Sequence, residues 1–183
     1  MTTCTKELSE NSGDFWVTEN IPRMDADPLR FLRDGVSAWH PVIINNLADE
    51  WPAMSKWSLS YFESRCGDMR SEINITPNGK GDAITSHDGV DHFVYPAAVD
   101  MAISDFCKML SNREPDDAVP YLSQQDNNLV KHFPELLDDI EQSLSLADDA
   151  FGCRSAEAVN LWIGDERSTS SLHKDHFENL YVV

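Results

Sequence analysis

His173 and Asp175 stand two positions apart in the run Leu172-His173-Lys174-Asp175-His176-Phe177-Glu178-Asn179-Leu180-Tyr181-Val182-Val183. In an extended segment, side chains alternate with a period of two, so this imidazole and carboxylate share a face. They could then converge on one hard or borderline cation. That supplies two thirds of a 2-His-1-carboxylate iron(II) site, a ligand set that leaves coordination positions open for other molecules. Lys174 and His176 point the other way, so His176 does not join the same cation. The pair alone also suits an ordinary solvated surface, and its neighbours must decide between the two readings.

Elements that would position the pair are legible around it. Ala158-Val159-Asn160-Leu161-Trp162-Ile163-Gly164 and Ser170 to His176 read as two strands joined by Asp165-Glu166-Arg167. Glu72 to Thr76 alternates polar and apolar residues as a half-buried strand does, Pro41 to Asn46 has the β-branched run of a buried strand, and His92 to Pro96 and Val119 to Gln125 suit further strands. Four helices are expected. One runs over Asp27 to Gly35, with Asp27 as cap, Pro28 in the first turn and Gly35 as the stop. Another covers Ser58 to Gly67, with Ser58 as cap and Gly67 as the stop. A third spans Ser104 to Leu110, from its three- and four-residue apolar spacing. Phe133 to Ile140 reads as an acidic amphipathic helix, and the acidic stretch from Glu135 to Asp149 as a solvated face. Pro77 to Asp82 is a turn or loop.

Composition bounds the rest. A chain of 183 residues with 41% hydrophobic and 9% aromatic residues suits one domain with a real core. Its 32 acidic and 14 basic residues give a net charge of −18, a field that repels nucleic-acid phosphate and attracts basic partners. No apolar run reaches the length of a membrane span, and no secretory leader is recognisable at Met1 to Glu7, so a cytosolic (cytoplasmic) or nuclear protein is expected. Cys4, Cys66, Cys107 and Cys153 lack the pairing of a zinc knuckle or a disulfide framework and read as free structural thiols.

Three stretches, in order, carry a likeness to a known family. The first is His40-Pro41-Val42-Ile43-Ile44 with Trp51-Pro52-Ala53 and Lys56-Trp57-Ser58-Leu59-Ser60-Tyr61-Phe62. The second is Tyr121-Leu122-Ser123-Gln124-Gln125. The third is Ala158 to Gly164 followed by Ser171 to Tyr181. Together they resemble the jumonji-C oxygenases of the cupin-like branch, in particular the lysyl hydroxylases, also described as bifunctional peptidases, that modify translation-associated GTPases. The resemblance implies an α+β fold: the N-terminal part of a double-stranded β-helix (cupin or jelly-roll) JmjC domain with flanking helices and an incomplete barrel. Residues 1–24 would form a lead-in and residues 25–183 the domain.

The resemblance also implies a chemistry. His173 and Asp175 match two iron(II) ligands. Ser170 stands where the family commonly has a threonine contacting the carboxylate of 2-oxoglutarate, and Tyr121 matches a tyrosine whose phenol reaches the same cosubstrate. Asn179 matches a polar site residue, and Tyr181 follows it. The implied reaction is hydroxylation of a lysine in a protein substrate such as a translation-associated GTPase. The family's cosubstrate lysine and second histidine ligand would lie further on, whereas only residues 176–183 follow Asp175. The expectation is therefore a chain truncated within the domain and inactive by itself, with an unclosed sheet edge that leaves homodimer formation open.

Two other functions fit the same residues: a non-catalytic partner-binding module, and a metal-dependent peptidase, although the HExxH helix signature of zinc peptidases is absent. His40, His87, His92 and His132 have no metal-ligand spacing and read as solvated or hydrogen-bonded, with His87-Asp88 and Asp91-His92 in an apparent loop. Trp16, Trp39, Trp51, Trp57 and Trp162 are expected mainly as core anchors.

Overall fold

The computed structural model describes residues 20–123, 126–140, 146, 149–150, 158–170, 173, 175–176 and 179–183. They fall into two compact units. The first comprises the described residues within 1–50, 142–155 and 177–183. The second comprises those within 51–141 and 156–176.

In the first unit, the two-residue strands β1 (Arg23–Met24) and β2 (Ile43–Ile44) pair in parallel, with Arg23 opposite Ile43. Met24 is buried with Phe31 and Leu146 in this unit's small core. Asp27 caps α1 (Pro28–Arg30) as expected, its carboxylate accepting from the Arg30 amide at 3.0 Å. Gly35 is not the stop. The helix passes into a π-helical segment, Phe31–Val36, in which Gly35 is buried and a Cβ there would meet the Phe31 ring at 3.3 Å. The glycine is a packing residue rather than a terminator. The strand expected over Pro41 to Asn46 shrinks to its two isoleucines, because Asn46 turns the chain with φ +59°. Trp39, expected in a core, is 67% exposed.

The second unit is built on an antiparallel four-stranded sheet in the order β6 (Ala97–Ala102), β3 (Arg70–Thr76), β7 (Val119–Leu122), β8 (Ile163–Gly164). After the short helix α2 (Ala53–Lys56), two longer helices, α3 (Leu59–Cys66) and α4 (Ile103–Ser111), cover one face. Ser58 caps α3 by accepting from the Tyr61 amide at 3.2 Å. Ile73 of β3 and Leu122 of β7 meet Phe62, Ile103 and Phe106 in the core. Cys66 and Cys107 are free thiols buried there, and burial pushes each up to about 11, out of the reactive range. The described strands form an open sheet and no closed barrel, as an incomplete jelly roll should.

Further departures from the sequence reading have physical causes. The expected helix from Phe133 begins earlier as α5 (Asn128–His132) and continues as a 3-10 turn, Pro134–Asp139, because Pro134 cannot donate to an α-helical ladder. Its acidic residues are not all on a solvated face. Asp139 is buried and accepts from Lys56 Nζ at 2.6 Å, Trp57 Nε1 at 3.2 Å and Tyr61 Oη at 2.5 Å. Burial alone would raise this carboxyl, but those three donors outweigh it and hold it below the usual carboxylate range. The apparent loop around His87 is a hairpin, β4 (Ala83–His87) and β5 (Val90–Val94), closed by Asp88 (φ +52°) and Gly89 (φ +76°). Two left-handed residues in a two-residue loop match the twist of the strands they join. Among the described residues, no helix is long and apolar enough to cross a membrane.

Candidate metal centre and its scaffold

Tyr121 sits on β7 opposite Asn74 of β3 and Gly164 of β8. Strand alternation sends Leu122 into the helix-covered core and Tyr121 to the other face. Asn74 and Ser123 share that face, the Asn74 amide donating to Ser123 Oγ at 2.7 Å. A Cβ on Gly164 would lie 2.7 Å from a Tyr121 ring carbon and 2.8 Å from Ser168 Oγ, so glycine is what lets the ring and the following turn close over this strand.

The segment entering β8 is held by three asparagines. Asn127, in the left-handed region at φ +64°, and Asn128 both donate their backbone N–H to Asn160 Oδ1, at 2.9 and 3.2 Å. Asn127 Oδ1 accepts from the Val159 amide at 2.8 Å. The fully buried Asn128 side chain pairs with Leu161 twice, accepting from its N–H at 2.7 Å and donating to its C=O at 2.9 Å. Side-chain amides thus imitate a strand partner where no strand runs.

Beyond β8 the chain turns at Asp165. Ser168 N–H donates to the Asp165 carbonyl at 2.9 Å, and Arg167 N–H to the Asp165 carboxylate at 2.7 Å. The Asp165 side chain is fully buried and is gripped by the guanidinium groups of both Arg167 and Arg113. Hydrogen bonds from Arg167 chiefly, then Arg113, overcome burial and drive this carboxyl well below the usual carboxylate range. Arg167 also donates to the carbonyls of Pro115 and Asp117, at 2.9 and 3.2 Å. A local reading of Asp165-Glu166-Arg167 as a plain connection missed this, because Arg113 lies 52 residues before Asp165. The exit is fixed too: Thr169 N–H donates to Gly79 O at 2.8 Å and Gly81 N–H to Thr169 O at 2.9 Å, forming a parallel bridge between Lys80 and Thr169. Gly79 has φ +86°, and a Cβ there would collide with the Arg167 carbonyl.

This anchored turn delivers the candidate ligands. His173 Nε2 lies 3.6 Å from Asp175 Oδ1, with the side chains 49% and 37% exposed. Of the strand expected over Ser170 to His176, residues 171, 172 and 174 lie outside the described residues; the described Ser170, His173, Asp175 and His176 belong to no strand. The two donors lie close to one another. One imidazole nitrogen and one carboxylate oxygen, both reachable from solvent, fit a borderline cation such as iron(II). Among the described residues no third His, Cys, Asp or Glu completes a metal cluster. Ser170 is exposed one residue after the Thr169 bridge, whereas Asn179 and Tyr181 are exposed residues of the first unit.

Comparison with known proteins agrees with this scaffold. The sequence matches the cupin-like domain family over residues 28–183. It is 38% identical over 180 residues to the human bifunctional peptidase and (3S)-lysyl hydroxylase JMJD7, covering 97% of this chain and 55% of that protein. It is 36% identical over 173 residues to the Arabidopsis thaliana lysine-specific demethylase JMJ32, covering 89% and 48%. It is 33% identical over 187 residues to the Dictyostelium discoideum JmjC domain-containing protein E, covering 97% and 53%. The chain therefore spans about half the length of the curated relatives it matches. With an open sheet of the jelly-roll kind and a family match over most of its length, the chain belongs to the cupin-like family, in its jumonji-C branch.

Proposed function

We propose that this chain is part of an iron(II)- and 2-oxoglutarate-dependent dioxygenase that hydroxylates a lysine side chain in a protein such as a translation-associated GTPase. The observation that carries the reading is the approach of His173 and Asp175 to 3.6 Å inside the matched cupin-like region. Those two side chains would hold the iron. The Tyr121 phenol and the Ser170 hydroxyl would donate hydrogen bonds to a 2-oxoglutarate carboxylate. Bound iron would supply oxygen activation. The protein's own share is to hold the donors, orient the keto acid and exclude water. Gly164 serves that share by giving the Tyr121 ring room, and the Asp165 clamp by fixing the chain that leads to Ser170.

The name of the human relative, which includes a peptidase, supports a second reading that one assay separates. The full-length gene product is incubated with iron(II), 2-oxoglutarate and lysine-bearing peptides, and succinate and peptide mass are followed. The expected result is succinate release coupled to a gain of one oxygen atom on the peptide. Peptide cleavage that persists without 2-oxoglutarate would overturn the hydroxylase reading in favour of the peptidase. Loss of methyl groups from methylated lysine would replace hydroxylation by demethylation.

A further inference from the structure

Among the described residues, the β4–β5 ribbon stands apart from both cores. Its strands pair only with each other among the described residues, and it contributes nothing to either core. Ile84 lies directly opposite Phe93, and Tyr95 continues the same face two residues on. These three side chains are 73%, 56% and 79% exposed. The Phe93 and Tyr95 rings meet edge to face with centroids 5.1 Å apart, so the patch is already ordered by its own contact. A lone two-stranded ribbon is marginal in water, and a contiguous exposed apolar patch marks a binding surface.

Charge selects the occupant. Asp82, Asp88 and Asp91 line the ribbon against Lys80 at its base, and the chain as a whole carries −18. A second copy would bring like charges together, whereas a lysine- or arginine-rich segment is attracted. The ribbon's outer strand edges pair with no other described strand, which offers an extended peptide a place to add. Position fits as well: the bridge of Lys80 with Thr169 anchors the base of the ribbon beside the residues that lead to Ser170 and His173.

We infer that the β4–β5 ribbon is a docking arm for an extended, basic segment of a partner protein, bound by strand addition along its edge and by the Ile84, Phe93 and Tyr95 patch. That this segment belongs to the hydroxylation substrate rests on the function proposed above.

The test uses the 183-residue chain and a short peptide alternating lysine and valine, with a glutamate–valine peptide as control. Fluorescence anisotropy measures affinity, and hydrogen exchange follows the amides of residues 83–94. Saturable binding of the lysine peptide is expected, with slowed exchange in β4 or β5. Phe93→Ser and Tyr95→Ser should each weaken it roughly tenfold, while Asp105→Asn on α4 should not. Because both serine positions are exposed, the fold is expected to survive, as unchanged exchange in the α3 and α4 amides would show. Unchanged affinity in both serine variants, or equal binding of the acidic peptide, overturns the proposal. So do ribbon amides that are already slow without peptide, or a dimer lost on Phe93→Ser, since either means another occupant. His173→Ala should leave peptide affinity unaltered. Docking as expected here, with no hydroxylation of any lysine-bearing peptide by the full-length gene product, would therefore sink the proposed function and leave the docking arm standing.

Discussion

Asp165→Asn should destabilise the chain by roughly 2–4 kcal/mol and lower its thermal midpoint by about 5–15 °C. The buried carboxylate satisfies two guanidinium groups and the Arg167 amide. Removing its charge leaves those donors facing a neutral amide that offers one acceptor and two further donors. The cost falls in the lower part of the range for broken buried pairs, because Arg113 and Arg167 still reach solvent at 32% and 27% side-chain exposure.

The same site sets an acid limit. The folded Asp165 carboxyl lies well below its unfolded value of about 3.9, so its contribution is complete above that value and is lost as pH falls through it towards the folded one. Asp139 is shifted in the same direction and adds to the loss. Denaturation midpoints should be flat above about pH 5 and fall steeply below about pH 4. In Asp165→Asn the low-pH slope should be shallower. An unshifted midpoint in the variant, or a pH profile identical to that of the parent, would remove the clamp from the account of stability.

Asn128→Ala should cost roughly 2–4 kcal/mol, more than Asn160→Ala. The Asn128 amide serves both the N–H and the C=O of Leu161 and is completely buried, so its removal strands two backbone groups away from water. Asn160 accepts from two amides at a half-buried position that water can partly replace. Hydrogen exchange should localise the damage: amides of residues 159–164 should accelerate before those of α3 and α4 do. Equal effects of the two substitutions, measured by chemical denaturation, would mean that burial does not set the ranking.

Where local signals and tertiary demands coincided, the fold was legible in the chain. Ser58 before an amphipathic run specified both the start and the face of α3, and alternation in Glu72 to Thr76 located β3. Legibility failed where partners are distant or where burial gives no pattern. Asp139 reads as one more acid on a polar helix because Lys56, Trp57 and Tyr61, its donors, precede it by 83, 82 and 78 residues. The β4–β5 hairpin was half missed because both of its faces are exposed, which erases the alternation that betrays a strand; the Asp88-Gly89 turn signal was present all the same. The spacing of His173 and Asp175 suggested a pair, and the two side chains do lie close together; the Asp165 turn and the Gly79–Thr169 bonds that precede them were not legible. Residue types and spacing nominate candidate donors, whereas the long-range hydrogen bonds around the preceding turn leave no local sign in the sequence.

The central claim is that His173 and Asp175 grip one ferrous ion beside a keto acid. Anaerobic titration of iron(II) into the full-length gene product, with and without 2-oxoglutarate, tests it most directly when repeated on His173→Ala and Asp175→Ala. Loss of even an outer hydrogen-bonding partner of a metal ligand weakens metal affinity 10- to 100-fold, so loss of a ligand should cost roughly a hundredfold or more in each variant. The gain in iron affinity that 2-oxoglutarate confers should disappear with it. Iron binding of undiminished strength in both variants would contradict the claim.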